Sequence, residues 1–425
     1  MKLAVVGAGS TYTPELVAGL GRERERLDLG ELVLHDIDAQ RREVVGGLAT
    51  RMLGAAGYDG KLSVTEDLER ALEGASFVLI QLRVGGQTAR LSDETIPLAC
   101  GCIGQETTGA GGLGKALRTV PVVLDIAARV RELAADDAWI VDFTNPVGIV
   151  TRSLLDAGHR AVGLCNVAIG FQRFTACLLD AEPHRVLIDQ VGLNHLTWVR
   201  RVLLDGDDVL PDLLVERGDE LAAHVDLPRD LLERLQAIPS YYLRYFYLHD
   251  EVLEEQLVGT PRAAEVAEIE RDLLELYRDP SLTTKPKLLE KRGGAFYSEA
   301  ATQLVASLAS DTQDVQVVDV RNDGTVAGLA ADDAVELPAR ITAKGTEPIP
   351  QRPLAPELLG LTQHVAAYER LASRAAIEGD RDLVYKALLA HPLVGQVPPV
   401  EELTERLLEA DREHLPQFFA QEPMT

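Results

Sequence analysis

The first fourteen residues, Met-Lys-Leu-Ala-Val-Val-Gly-Ala-Gly-Ser-Thr-Tyr-Thr-Pro, admit few local structures. Leu3 to Val6 form a short apolar run rich in valine, the pattern of a strand buried on both faces in a parallel sheet. Gly7 and Gly9 let the chain turn tightly and approach a ligand with no Cβ in the way. Thr13 suits a helix N-cap and Pro14 the first helical position, so a helix should open directly after the turn. Strand, turn and helix N-terminus together aim unpaired N–H groups at an anion, most often a dinucleotide pyrophosphate. Tyr12 stands where the usual third glycine would be, and a plain βα turn would use the same two glycines. The difference is made by Glu31–Asp36, a second short strand ending in a carboxylate where a ribose-binding Asp belongs. Gly7, Gly9, Ser10, Thr11 and Asp36 are therefore read as contacts to NAD, with Asp36 selecting it over NADP.

Strands and helices continue to alternate up to residue 165. Leu62–Val64, Ser76–Gln81, Trp139–Phe143 and Ala161–Leu164 read as strands, while 40–53 and 117–133 read as helices. This is the pattern of a doubly wound parallel sheet, in which ligands bind beyond the carboxyl ends of the strands. Three polar stretches fall there: Arg83 in Gln81–Gly86, the glycine-dense 103–112, expected to be a loop able to fold over a ligand, and Asn145 in Phe143–Gly148. Beyond 165 the alternation fades. Residues 190–199 look extended around a polar centre, 210–274 and 354–389 helical, and 315–320 and 335–342 stranded. Residues 344–353 look like a crossing loop. The chain is thus divided into an α/β, Rossmann-like NAD-binding domain over 1–165 and an α+β lobe over 166–425.

A length of 425 residues can bury a sizeable core. The net charge of -25, with no basic block to offset it, excludes nucleic acid and anionic membranes as general partners. No apolar run approaches the roughly 20 residues that span a bilayer. The first strand starts too early to leave room for a signal peptide, and Cys100, Cys102, Cys165 and Cys177 are too few for a disulfide framework. A cytoplasmic location is expected.

Cys165-Asn166 ends the last strand of the first lobe, and Asn194-His195 follows thirty positions on. A thiolate and an imidazole suit a divalent transition metal, although spacing alone favours a packed cysteine and a hydrogen-bonded histidine. Ile238–Tyr247 holds four tyrosines in a chain with 5% aromatics. A helix starting near Pro239 or Ser240 would set Tyr242 and Tyr245 one turn apart. Phenol is a usable base only beside positive charge, which Arg244, Arg292 or a metal could supply. In Lys291–Ser298, Arg292 precedes two glycines and a helix expected to start at Ser298, an arrangement suited to gripping an anionic oxygen.

Taken in order, the motifs at 7–16, 82–86, 104–112, 144–148, 165–170, 192–195, 242–245 and 291–298 resemble glycoside hydrolase family four, most of all its 6-phospho-β-glucosidases. The resemblance implies a fold like lactate and malate dehydrogenase, a catalytic NAD, a divalent metal (usually Mn2+) and a homodimer or homotetramer. It also implies an unusual reaction. NAD takes hydride from C3 of the sugar, a base removes the C2 proton, the metal stabilises the enediolate, and the C1 group leaves by elimination. Water then adds and the hydride returns, so net redox is zero. Carried over by position, Cys165 and His195 match the metal ligands and Tyr242 the base, with Tyr241 beside it left open. Arg83, Asn145, Asn166, Asn194 and Arg292 match substrate contacts. Where α-acting relatives tend to carry an acid, Asn166 has an amide that cannot donate a proton as a carboxyl would, so β-linked 6-phosphoglycosides are expected as substrates. An α-acting relative, a 2-hydroxyacid dehydrogenase and a non-catalytic NAD sensor are the alternatives. Neither of the last two needs Cys165, His195 and Tyr242 together.

Overall fold

A computed structural model describes residues 1–23, 26–293 and 296–419. Among them thirteen strands form one sheet: β1 Lys2–Val6, β2 Glu31–His35, β3 Lys61–Thr65, β4 Phe77–Ile80, β5 Trp139–Asp142, β6 Ala161–Gly163, β7 Val186–Leu193, β8 Leu196–Leu204, β9 Asp207–Asp208, β10 Ile238–Pro239, β11 Val315–Arg321, β12 Ala334–Thr342 and β13 Gly345–Pro348. The first six run parallel in the order β3-β2-β1-β4-β5-β6, the arrangement of dinucleotide-binding folds. β1 sits at the centre, and Leu3, Ala4 and Val5 have no exposed surface. At about 1.5–3 kcal/mol for each fully buried large aliphatic side chain, that placement alone accounts for the unbroken apolar run.

The sheet does not stop at β6. β11 pairs with it antiparallel, then β12, β7, β8 and β10 extend the same surface. β7 and β8 form a hairpin whose turn is Asn194-His195, so the polar centre of 190–199 lies at a tip and not along a strand. Helices Pro356–Glu378, Arg381–Ala390 and Val397–Ala410 return to pack on helix Gly109–Leu133 of the first half. No helix among the described residues is long and apolar enough to cross a membrane.

Four local expectations change. The first helix begins at Thr13, with Tyr12 at the cap position and no side-chain cap; Pro14 is its second residue. The glycine-dense 103–112 is not a loop throughout, since a 25-residue helix opens at Gly109. Gly111 and Gly112 are there for contact: a Cβ would come within 2.2 Å of the Asp93 carbonyl oxygen and 2.8 Å of the Thr107 carbonyl carbon. Residues 344–353 hold β13, which pairs back onto β12. The helix expected at Ser298 starts at Tyr297, and Gly294, second of the paired glycines, lies outside the described residues.

Candidate active site

At the carboxyl end of β1, Gly7 turns at φ +88°, and a Cβ there would lie 2.5 Å from the Gln81 carbonyl oxygen. Gly9 donates its N–H to Asp36 Oδ2 at 2.7 Å, and a Cβ on Gly9 would collide with that carboxylate. Asp36 Oδ1 accepts from the Asp38 N–H at 2.9 Å. Asp36 therefore joins the two turns, with lone pairs left for ribose hydroxyls. Ser10 Oγ accepts from the Tyr12 N–H, while Thr11 is fully buried with its hydroxyl on Glu270 at 3.2 Å. The glycine turn, helix start and carboxylate fit a dinucleotide.

A cationic cluster follows along the same strand ends. Arg83 grips Glu106, which also takes Lys115 Nζ at 2.6 Å and Arg90 Nε at 3.1 Å. Arg292 Nε and Nη2 bond Glu270 Oε1 at 3.1 and 3.0 Å, and Arg41 Nη2 takes Glu270 Oε2 at 3.0 Å. Burial would raise Glu106, but Arg83, Lys115 and Arg90 win and hold it well below the usual carboxylate range. Lys115 is pushed down to about 7 by burial and by Arg83. Arg83, Arg90, Arg292, Arg41 and Lys115 outnumber Glu106, Glu270 and Glu94, so the cluster can accept an anion. Arg90, Lys115 and Glu270 were not singled out from sequence, because a charge on a helix reads as solvated until its partner is known, and Glu106 was one polar residue of a stretch read as a loop.

Farther along lies the second group. Cys165 is buried at the start of helix Asn166–Leu178. Burial, then Glu336, raise its thiol well above the ordinary value, so a cation would be needed to hold the thiolate. His195 occupies the left-handed region at φ +64° in the hairpin turn. Its Nδ1 shares a hydrogen bond with Thr107 Oγ1 at 2.9 Å, and its buried Nε2 has no partner. Burial and Lys115 lower its pKa to about 3, leaving a neutral imidazole with a free nitrogen. Thiol plus neutral imidazole is a donor set for a divalent transition metal. Among the described residues no three His, Cys, Asp or Glu side chains are grouped to hold one.

Tyr242 stacks on His195, ring centroids 3.6 Å apart and 9° from parallel. It sits in a 3-10 turn, Tyr241–Leu243, that only then passes into helix Arg244–Tyr247, so no single helix spans Tyr242 and Tyr245; their rings are nonetheless 6.3 Å apart. Tyr241 points elsewhere, 41% exposed and bonded to Arg244 at 3.2 Å. The charge expected from two arginines does not reach Tyr242. Arg244 lies over the Tyr241 ring and pairs with Asp226 and Glu255, and Arg292 is held by Glu270. Burial, then Cys165, Tyr245 and Glu106, all raise the Tyr242 phenol well above its ordinary value.

Asn145 follows β5 through Thr144 and is joined to Pro146 by a cis peptide bond; its Oδ1 is buried without a partner. Asn166, first residue of its helix, adjoins Cys165. Tyr297, also overlooked in the sequence, faces Asn145 and Cys165, where burial first and then Cys165 raise its pKa. Asn194 donates to Glu336 Oε2 at 2.9 Å.

Comparison with known proteins places this geometry. The family 4 glycosyl hydrolase model matches residues 2–181, and the model of that family's C-terminal domain matches 190–394. A probable 6-phospho-beta-glucosidase of Bacillus subtilis (strain 168) is 41% identical over 434 aligned positions, covering 99% of this chain and 98% of the relative. The 6-phospho-beta glucosidase of Thermotoga maritima, solved with manganese, NAD+ and glucose-6-phosphate, superposes with a TM-score of 0.91 at 34% identity, over 97% of this chain and 99% of that one. Malate dehydrogenase of Plasmodium falciparum, 14% identical, shares the fold at a TM-score of 0.57, over 90% of this chain and 99% of that one.

Proposed function

The chain belongs to family 4 of the glycosyl hydrolases, and from that premise we propose that it hydrolyses 6-phospho-β-glucosides with NAD and a divalent metal, manganese for preference. The observation that carries this reading is Tyr242 lying flat on His195, whose Nε2 is unpartnered, close to Cys165. A dehydrogenase would gain nothing from that trio.

When bound, NAD would supply a hydride acceptor and the divalent cation would supply Lewis-acid polarisation of sugar oxygens. The chain's own residues do the rest. Gly7, Gly9, Ser10, Thr11 and Asp36 form the dinucleotide cradle, with Asp36 holding the ribose. Cys165 and His195 would hold the metal; the Thr107 hydroxyl donates to Gln105, so His195 Nδ1 donates to Thr107 and Nε2 carries the lone pair. Tyr242 takes the C2 proton on its phenolic oxygen. The Arg83 and Arg292 clusters receive the 6-phosphate, since their cations exceed their carboxylates. Asn145, Asn166 and Asn194 bind sugar hydroxyls; an amide at 166 cannot act as an acid, which favours the β-linked leaving group. The NAD lobe is 1–165 and the catalytic and oligomerisation lobe 166–425, assembling as a dimer or tetramer in the cytoplasm.

The test compares nitrophenyl 6-phospho-β-glucoside with its α-anomer and its unphosphorylated form, with NAD and Mn2+ present. Hydrolysis of the first, strongly preferred and with no NADH accumulating, is expected. Steady NADH production without glycoside cleavage would instead establish a dehydrogenase.

A further inference from the structure

Four neighbouring strands place Gly163 of β6, Asp319 of β11, Glu336 of β12 and Gly192 of β7 side by side. The row lies just before Cys165 on one chain segment and Asn194-His195 on another. Asp319 and Glu336 are direct cross-strand partners with 0% and 1% exposure. Two acids facing each other inside a sheet are costly. Their neighbours Val318, Val320, Val335 and Leu337 are all buried and aliphatic, so packing alone gives no reason for acids here.

What the two acids share is Asn194. Its Nδ2 is 2.9 Å from Glu336 Oε2 and 3.4 Å from Asp319 Oδ2, while Glu336 Oε1 is held by Gln190 Nε2. An amide nitrogen carries two hydrogens and can serve both acids. A carboxyl can accept in either protonation state, whereas an amide oxygen in the nitrogen's place would need both buried acids to carry a proton and aim it at the same atom. The nitrogen therefore faces inward and Oδ1 faces away, where it takes no hydrogen bond from the described residues. Asn194 itself is only half-buried. The second acid is what makes the orientation one-sided.

We propose that Glu336 and Asp319 are positioning residues that lock Asn194 as a hydrogen-bond acceptor, so that the sugar hydroxyl it meets must donate. The inference rests on the reading of this strand end as the sugar site. Titration calorimetry of the NAD-loaded protein with glucose 6-phosphate and its 2-, 3- and 4-deoxy analogues tests it. In the wild type one analogue should bind about 3- to 12-fold more weakly than the parent, the worth of a neutral hydrogen bond. In Glu336→Gln the side-chain amide can also donate, Asn194 can turn over, and the same ratio should fall below about 2. Asp319→Asn should do likewise, so the test survives misfolding of either variant, with thermal midpoints reporting the fold. A purely structural role would weaken all ligands together and leave the ratio intact. Wild-type discrimination kept in both variants, or no discrimination in the wild type, overturns the proposal alone. Failure of glucose 6-phosphate to bind the wild type overturns the sugar-site reading and the proposal with it.

Discussion

Replacing Tyr242 by Phe removes one oxygen and keeps the ring that lies 3.6 Å from His195. The stack and its apolar contacts survive, so stability should change by only about 1 kcal/mol. The catalytic loss should be large. Removing a general base costs about 10²–10⁴ in rate, or roughly 3–5 kcal/mol of barrier. The surroundings sharpen the expectation, because burial and the neighbours named for Tyr242 all disfavour phenolate. The cation proposed at Cys165 and His195 would supply the opposing charge, and the metal-free protein should then fail at the same step. A base works deprotonated, so the rate should climb with pH through the metal-lowered phenol pKa. The assay follows exchange of the sugar's C2 proton with deuterated water by NMR, beside nitrophenol release, with NAD and Mn2+ present. Tyr242→Phe should lose both signals and keep NAD binding. Tyr241→Phe should remain within about twofold of wild type, since its hydroxyl is solvent-facing and bonded to Arg244. If Tyr241→Phe is the slow variant, or Tyr242→Phe exchanges at the wild-type rate, the assignment is wrong.

Asp36→Ala removes the acceptor of the Gly9 N–H and the proposed ribose partner, so NAD affinity measured by calorimetry should fall about tenfold or more; tighter binding of NADP by the wild type would refute the role. Chelation should abolish activity, Mn2+ with a reducing agent should restore it, and Cys165→Ala should no longer retain Mn2+ in equilibrium dialysis; undiminished retention would remove Cys165 from the ligand set. Burial raises the Asp142 carboxyl to about 8 despite its bonds with Thr144. The folded protein thus keeps a proton that the unfolded chain gives up near 4, and the associated stability is lost as pH rises toward 8. Asp142→Asn should therefore be more stable than wild type at pH 7, by on the order of 1–3 kcal/mol, and converge with it near pH 4 in urea titrations; equal gains at both pH values would point to something other than the proton.

The parallel half of the fold was legible because its strands are apolar throughout and each ends in a turn signal. Asp36, Asn145 and Cys165 could be placed at strand ends from that alone. Glycine misled at 111 and 112, where its smallness serves helix packing against the Asp93 and Thr107 backbones and not flexibility. Buried charge was invisible: Arg118, with no exposed surface between Asp93 and Asp411, looks in sequence like any helix-surface cation. Asp319 and Glu336 were hidden in the same way, since their partner Asn194 is more than a hundred residues away. The choice between Tyr241 and Tyr242 needed a direction in space, which spacing across a 3-10 turn does not give.

The continuous sheet has a consequence for how the chain is made. β6 ends at Gly163, but the strand that covers its free edge, β11, begins at Val315. At about 5–20 residues per second of synthesis, the ribosome needs roughly eight to thirty seconds to reach it. Through that interval the nascent first half presents an open row of backbone donors and acceptors, the kind of edge on which chains stick to one another. A truncated product ending between the two strands would carry the open edge permanently.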